Sequence, residues 1–391
     1  MTMRTHVSAG SSGKNADIEV LRAVAVGFTV LCHLGELLKW NGDPHSLVWI
    51  PDFWGGVDIF FCVSGFVITH SLLRMPRRPA FRDLAIPFYI RRVFRIWPAA
   101  TLWLAIPILA AKYFNTSGAF GHAKAAFFDG VAAVAQVANI YFSFCQRGAY
   151  GPCGKEMVYW SLSLEEQFYL VFPLLLFFIR PPRLRWLLAA LILIQFALPR
   201  DAPDLLWFIR TDAICYGVLI AMASHNGSMQ AVSSAVDHNP RGAMVLAVLL
   251  MALVAILSMT PALRINVALI ALAAAGLVLL ASCERNVIIP SRRLRPFLLW
   301  CGSRSFAIYL AHRPCFWATR EIFYRIYHLV HFNDTFAPAF VVTAGVFIAV
   351  ASEATYRFVE TPLRELGRRL ADRVGQPAAS VPEPLSTTTV R

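Results

Sequence analysis

The sequence predicts an all-α, polytopic membrane protein with about ten transmembrane helices and both termini in the cytoplasm. Of its 391 residues, 57% are hydrophobic and only 15% are charged, whereas soluble domains carry about 25% charged residues. Several apolar runs approach the roughly 20 residues that cross the hydrocarbon core of a bilayer. We therefore expect one membrane domain at 19–370, preceded by a cytoplasmic segment at 1–18 and followed by a disordered cytoplasmic tail at 371–391.

Ten apolar segments are the candidate membrane spans. In chain order they cover roughly residues 19–38, 54–73, 96–113, 161–179, 184–199, 205–223, 243–259, 264–283, 298–318 and 337–358. An eleventh stretch at 123–144 is rich in alanine but contains Lys124, Asp129, Gln136 and Asn139. Whether this stretch crosses the membrane decides which side every later loop faces.

The distribution of basic residues favours ten spans. If both termini are cytoplasmic and 123–144 does not cross, 23 lysines and arginines fall in cytoplasmic stretches and nine fall outside. Cytoplasmic loops carry such an excess in membrane proteins. Residues 115–160 are then an outside excursion, re-entrant or not. The same clustering explains the net charge of +13 without nucleic acid as a partner.

The cysteines and the absence of metal-ligand spacing bear on the chemistry that the sequence allows. Cys145 and Cys153 both fall in the outside excursion, and an oxidising periplasm would let them form a disulfide. Two loop cysteines can equally occur by chance, so the pairing stays open at this point. No group of residues has metal-ligand spacing, so no metal is expected.

Polar residues inside spans are costly and usually functional. Arg22 and His33 are eleven residues apart in the first span, which corresponds to roughly 16 Å along a helix. Arg22 is therefore expected at the cytoplasmic boundary, and His33 deep in the membrane or in its outer half. The alternative for His33 is a packing role, with its ring bonded to a neighbouring helix.

Carboxylates occur at the start of two spans. Asp58 begins the second span, where it could also be an N-cap. Ser163 precedes Glu165 and Glu166, the pattern of an ordinary helix start. Two adjacent carboxylates cannot both face solvent at the mouth of a span, so we expect one to point into the bundle. A hydrolase triad is disfavoured because the sequence has no G-x-S-x-G motif.

Two further groups share a helix face. Tyr309 and His312 are three residues apart and lie on one side of a helix, with Ser303 six residues before Tyr309; interfacial anchoring is the alternative. Arg92 and Arg95 have the same spacing in a cytoplasmic basic cluster. The positive-inside bias alone would explain them, but arginine also binds phosphate bidentately.

These stretches together resemble the membrane-bound acyltransferase-3 family, O-acyltransferases that modify bacterial surface sugars and some secreted products. The resemblance covers residues 19–370, and its specificity comes from seven blocks in order. They are LRAVAV-x5-CH, GVDIFFCVSGFVIT, RRVFRIWP, WSLSLEEQFYLVFPLL, FIRTDAICYGVLIA, SRSFAIYLAH and VETPLRELGRR.

The chain departs from the family pattern at three places. The family's serine–tyrosine pair is Ser305-Phe306 here, and the tryptophan usual after the last histidine is Arg313. Many sugar-modifying members also have a soluble esterase-like domain, which does not follow residue 370. We therefore expect a stand-alone membrane domain, or one that works with a separate periplasmic transferase.

The resemblance implies a mechanism. An acyl-CoA, taken to be acetyl-CoA, would enter from the cytoplasm as a co-substrate, with no permanently bound cofactor. Arg92 and Arg95 would bind its phosphates, with Arg22 assisting. His33 would act as general base or form an acyl-histidine intermediate. A carboxylate would orient the imidazole or the acceptor: Glu165 or Glu166, and after them Asp58.

The sequence does not identify the acceptor. Tyr309, His312, Ser303 and Trp160 are the expected substrate-binding residues, and the bacterial inner membrane is the expected location. Lipopolysaccharide, exopolysaccharide, a lipo-oligosaccharide signal or a macrolide would each supply a hydroxyl. The alternatives from other classes are a polytopic transporter, for which no inverted repeat is seen, and a non-catalytic homologue.

Overall fold

The structure, a computed structural model, describes residues 15–39, 48–75, 80–149, 153–260, 263–329 and 332–375. Within these ranges the chain forms helices and no β-strand, which confirms the all-α class. Residues 1–14 of the predicted N-terminal segment and 376–391 of the predicted tail lie outside the described ranges. The first helix already begins at Ala16 and the last ends at Gly375, so helical structure extends past both predicted domain boundaries.

The described residues form seventeen α-helices. They are α1 (Ala16–Cys32), α2 (Leu34–Leu37), α3 (Gly56–Leu73), α4 (Phe81–Tyr113), α5 (Ala123–Val134), α6 (Ala138–Cys145), α7 (Tyr159–Phe178), α8 (Pro181–Ala197), α9 (Leu205–Phe208), α10 (Asp212–His225), α11 (Gln230–His238), α12 (Pro240–Ser258), α13 (Asn266–Ser282), α14 (Arg295–Ser303), α15 (Ser305–Tyr327), α16 (Ala337–Thr355) and α17 (Thr361–Gly375). A short 3-10 helix (Asp334–Phe336) precedes α16, and a π-helical turn (Tyr356–Glu360) joins α16 to α17.

Seven stretches of the described chain are long and apolar enough to cross a membrane. They are Ala16–Leu37, Gly56–Leu73, Phe81–Tyr113, Tyr159–Phe178, Leu205–His225, Pro240–Ser258 and Asp334–Val374. Each contains or overlaps one of the ten predicted spans, so the multi-pass membrane character is confirmed.

The other three predicted spans, at 184–199, 264–283 and 298–318, are helical but do not meet the same criteria. Helices α8 and α13 have only 17 residues each. Helix α15 has 23 residues, but several of them are charged, Arg313 and Glu321 among them. The count of ten and the cytoplasmic position of the termini therefore stay predictions.

The stretch 123–144 forms two helices rather than one. Helix α5 has 12 residues and α6 has eight, and between them Gln136 adopts a left-handed conformation with φ 57°. At 1.5 Å per residue the longer helix is about 18 Å long, well short of the ~30 Å hydrocarbon core. Neither helix can span alone, as the non-crossing prediction requires. Cys145, the last residue of α6, and Cys153 are joined by a disulfide, which resolves the pairing that the sequence left open.

Helices α3 and α10 touch through their backbones. A Cβ atom added to Gly65 would collide with the carbonyl oxygen of Ile214, and one added to Gly217 would collide with the carbonyl oxygen of Cys62. Small residues allow this close approach between membrane helices. Helix α3 also packs against α1, α7 and α13, so it forms the centre of the bundle on which the candidate site is built.

Thiol labelling tests the membrane orientation that the distribution of basic residues predicts. Lys124, at the start of α5, and Arg292, between α13 and α14, are both exposed. In intact cells, a membrane-impermeant thiol reagent is expected to label a Lys124→Cys variant above the parent protein and to leave Arg292→Cys at the parental level. Permeabilised cells, in which both variants should react, provide the control. Labelling of Arg292→Cys in intact cells would contradict the predicted orientation.

Candidate active site

A cavity lies between α1, α3, α4, α7 and α15. It contains about 750 Å³ of empty space, part of it open to solvent. Its walls are mostly apolar, with Val57, Phe60 and Val63 from α3 among them. Its polar residues come from all five helices, so the site depends on the assembled bundle.

Three arginines line this cavity: Arg22 of α1, with Arg92 and Arg95 of α4. The Nη1 atom of Arg22 lies 3.4 Å from Oε1 of Glu19. Arg92 stacks over the ring of Tyr169, 5.0 Å from its centroid. Neither Arg92 nor Arg95 forms an ion pair with a carboxylate among the described residues. Like charges partly removed from water are unfavourable unless an anion neutralises them, so this end of the cavity is suited to an anionic ligand.

Glu165 faces the same cavity but is held by neutral donors. The hydroxyl of Ser64 donates to its Oε2 atom at 3.1 Å, and the hydroxyl of Tyr169 donates to the same atom at 2.6 Å. Glu166 does not line the cavity, and its Oε1 atom is buried without a hydrogen-bond partner. The prediction that one carboxylate of the pair points into the bundle therefore agrees with the structure, and Glu165 is that carboxylate.

Tyr309 and Ser161 also line the cavity. The hydroxyl of Tyr309 donates to the carbonyl oxygen of Val158 at 2.8 Å and lies 2.6 Å from the hydroxyl of Ser161. These bonds fasten α15 to the start of α7. Tyr309 thus lies at the cavity, as predicted, with its hydroxyl committed to this fastening.

His33 and His312 meet just beyond Tyr309. His33 ends α1, and its Nδ1 atom lies 2.9 Å from the carbonyl oxygen of Thr29 and 3.3 Å from Nε2 of His312. The Nδ1 atom of His312 lies 2.7 Å from the carbonyl oxygen of Tyr309. His33 is half-buried and His312 is completely buried. The two histidines, predicted from separate blocks, therefore form one pair next to Tyr309, although neither of them lines the cavity itself.

An ion pair that sequence reasoning missed lies beside the histidines. Glu36, three residues after His33, accepts from Nε of Arg313 at 3.1 Å and from the indole of Trp317 at 3.0 Å, and its Oε1 lies 2.8 Å from Nη2 of Arg313. The Arg313 side chain is 6% exposed, and its Nη1 atom has no hydrogen-bond partner. The position of Glu36, three residues after His33, was the signal in the sequence that could have identified it as a site residue. Nothing in the neighbouring sequence identifies its partner Arg313, which is 277 residues away.

The segment between α6 and α7 contains a buried acid. Glu156 is 2% exposed, and its Oε1 atom has no hydrogen-bond partner. Burial raises the pKa of Glu156 to about 8, so the carboxyl is mainly protonated at neutral pH. Its backbone N–H donates to Asp129 at 3.0 Å, which anchors this loop to α5.

Asp58 pairs with Arg210. It is completely buried, and Arg210 donates to both of its carboxylate oxygens at 3.0 Å. The guanidinium of Arg210 also lies over Trp160, Trp207 and Trp54, 4.7, 4.1 and 5.4 Å from the ring centroids. Asp58 and Trp160 thus belong to a buried ion pair and its aromatic enclosure, and the roles expected for Asp58 in orientation and for Trp160 in substrate binding stay predictions.

Ser303 differs from expectation. It ends α14, donates to the carbonyl oxygen of Trp300 at 2.9 Å and accepts from Arg304 at 2.7 Å. It does not line the cavity, whereas Ser305 and Phe306 do. The break between α14 and α15 separates Ser303 from the face that carries Tyr309, so the six-residue spacing does not bring the two side chains together.

Comparison with known proteins places this site in a family. A family model described as an acyltransferase domain matches residues 15–352. The chain is 27% identical over 377 residues to the peptidoglycan O-acetyltransferase OatA of Listeria monocytogenes, covering 90% of this chain and 56% of that protein. It is 30% identical over 178 residues to nodulation protein 10 of Rhizobium leguminosarum, covering 42% and 45% respectively.

A third relative is the O-acetyltransferase OatA of Staphylococcus aureus, 29% identical over 164 residues, or 41% of this chain and 24% of that protein. The chain spans about half the length of the first relative, and no solved structure matches it. The family model nevertheless covers most of the chain, including the arginine-lined cavity and the histidine pair. The chain therefore belongs to the acyltransferase family that its sequence blocks resemble.

Proposed function

We propose that this protein is an integral-membrane O-acetyltransferase of the bacterial inner membrane, which moves an acetyl group from acetyl-CoA to a hydroxyl of a glycan on the outer side. One observation carries the proposal: three arginines line the same cavity as Tyr309, whose ring centroid lies 6.0 Å from that of His312 in the histidine pair. Family membership supports the chemistry. The arginines support the class of donor.

The phosphates and the pantetheine arm of acetyl-CoA match the basic and the apolar residues that line the cavity. CoA phosphates would bind Arg92 and Arg95, where charge-assisted bonds are strongest, and Arg22 would contribute from α1. The thin pantetheine arm would follow the apolar wall formed by α3. The thioester would then lie near Tyr309, within reach of His33. Glu165, fixed by Ser64 and Tyr169, would position groups within the cavity.

His33 would be the general base. The acceptor oxygen attacks the thioester carbonyl carbon while His33 takes the hydroxyl proton. The carbon–sulfur bond then breaks, and the CoA thiolate leaves and receives that proton. Such proton transfer contributes roughly 10²- to 10⁴-fold to a rate. An acyl-histidine intermediate, with acetyl carried on the ring before transfer, is the other route.

Peptidoglycan is the acceptor we propose to test first, because two of the relatives are O-acetyltransferases and one is named for peptidoglycan. The earlier candidates lipopolysaccharide and exopolysaccharide have no comparable support among these names. Arg313 Nη1 and Glu156 Oε1, both buried without partners, are the groups we propose to bind acceptor hydroxyls.

The donor site is tested by arginine substitution. Arg92→Ala and Arg95→Ala are each expected to weaken acetyl-CoA binding about 10- to 150-fold, because a lost charge-assisted bond costs roughly 1.5–3 kcal/mol. Lysine at either position should restore only part of the affinity. Binding of radiolabelled acetyl-CoA to the purified protein measures the effect.

Arg91 is the matched control in the same helix. It is 40% exposed and pairs with Asp372 at 2.8 Å, away from the cavity lining. Arg91→Ala should keep the parental affinity. If Arg92→Ala and Arg95→Ala also keep it, the arginines are topology signals and the proposed donor site is wrong.

A further inference from the structure

We infer that His312 is a positioning residue, which holds His33 in the tautomer with hydrogen on Nδ1 and leaves Nε2 as the nitrogen that takes the proton. This inference rests on the proposed function, because it assigns the working atom of the proposed base. It also replaces the substrate-binding role that the sequence suggested for His312.

The ring of His312 is oriented by its own helix. Its Nδ1 atom lies 2.7 Å from the carbonyl oxygen of Tyr309 and 3.2 Å from that of Ile308. Carbonyl oxygens only accept hydrogen bonds, so Nδ1 of His312 carries the hydrogen. In a neutral imidazole the other nitrogen then holds a lone pair, and Nε2 of His312 is an acceptor.

The ring of His33 faces two acceptors with one nitrogen. Its Nδ1 atom lies 2.9 Å from the carbonyl oxygen of Thr29 and 3.3 Å from Nε2 of His312. A hydrogen on Nδ1 satisfies both contacts, whereas a second hydrogen on Nε2 of His312 would set two N–H groups against each other. The lone pair that is free to receive a proton is therefore on Nε2 of His33. Neither nitrogen of His312 is free to do so.

The neighbouring ion pair fixes the distance between the rings. Glu36 follows His33 by three residues, and Arg313 follows His312 by one. Their two-point contact, with Arg313 Nε and Nη2 on the two oxygens of Glu36, ties α2, which begins directly after His33, to α15. The histidines consequently meet at a fixed junction, which is what a positioning contact requires.

Four variants test this assignment: His33→Ala, His312→Phe, His312→Gln and His312→Asn. The probe is acetyl-CoA, with chitooligosaccharide or water as acceptor, and the readout is release of free CoA by the purified protein. His312→Phe is expected to lower kcat about 10²-fold, within the contribution of a general base, while KM for acetyl-CoA stays within about twofold. His312→Gln places a carbonyl oxygen near the position of Nε2 and should recover about tenfold of that loss.

The amide pair separates positioning from packing. Asn reaches only the position of Nδ1, so His312→Asn should stay as slow as His312→Phe although it is chemically close to the faster glutamine variant. This comparison stands even if the phenylalanine variant does not fold. His70→Phe is the control for replacing an imidazole by a phenyl ring in the bundle. His70 lies in α3 outside the cavity lining, so this variant should keep the parental kcat.

Each contrary outcome has its own meaning. Parental kcat in His312→Phe, or equal rates in the glutamine and asparagine variants, would overturn the positioning role and leave the proposed function intact. Full activity in His33→Ala would overturn the base on which the inference rests. Absence of acetyl-CoA turnover in the parent protein would overturn the proposed function, and the inference would fall with it.

Discussion

Replacement of His33 by alanine is expected to lower acetyl transfer roughly 10²- to 10⁴-fold, the contribution of a general base, while the protein still accumulates in the membrane. His33 is half-buried at the end of α1, so its truncation removes little packing. The residue does not line the arginine end of the cavity, and acetyl-CoA affinity should therefore be unchanged. Transfer rate and donor affinity, measured on the same preparation, check both parts.

This pattern is the reverse of the one expected for Arg92→Ala, which should lose donor affinity first. His70→Ala provides the matched histidine control, since His70 lies in α3 outside the cavity lining and should keep parental activity. A well-folded His33→Ala protein that retains more than a few per cent of the parental rate would reject His33 as the base. Equal losses of rate and affinity would instead indicate a binding role.

Replacement of Arg210 by methionine is expected to cause a large loss of stability. The change would leave Asp58, which is completely buried, without the guanidinium that donates to both of its oxygens at 3.0 Å. Removing one partner of a buried pair costs about 3–5 kcal/mol, because the remaining charge is uncompensated. The free energy of unfolding, measured by denaturant titration in detergent, should fall by that amount.

A double variant tests the physical reason. Buried ion pairs replaced on both sides by apolar groups of similar volume are often as stable as the original, so Asp58→Leu combined with Arg210→Met should regain most of the loss. Arg91→Met, which breaks the exposed pair with Asp372, should cost no more than about 1 kcal/mol. A double variant as unstable as Arg210→Met alone would show that the contacts of Arg210 with the three tryptophans, rather than the charge, dominate.

Much of the site could be predicted because its residues repeat at helical spacing within single spans. Arg22 and His33 belong to one helix, and a rise of 1.5 Å per residue fixes their separation. Arg92 and Arg95 share a helix face in the same way, and the structure brings both to the cavity with Arg22. Spacing within a helix is thus recoverable from sequence.

Contacts between distant helices were not predictable from these patterns. From the sequence alone, Asp58 could be an N-cap or an active-site acid. Its partner Arg210 is 152 residues away and is identified only in the structure. The departure at Arg313 was visible, but its meaning required Glu36 on the opposite side of the junction. Ser303 was misplaced because α14 ends at Ser303 and α15 begins at Ser305, and Gly302 alone did not identify this break in the sequence. Periodicity gives the face of a helix and leaves open which helix that face meets.

The backbone contact between α3 and α10 bears on how tolerance to substitution should be interpreted in this protein. Gly65 and Gly217 accept no side chain, since any Cβ would overlap the opposing carbonyl oxygens. In a survey of all single substitutions these two glycines would be as intolerant as His33, although they touch neither donor nor acceptor. Loss of function alone therefore does not distinguish positions needed for helix packing, such as these glycines, from catalytic positions. Only assays that report protein abundance separately from turnover will distinguish the two groups.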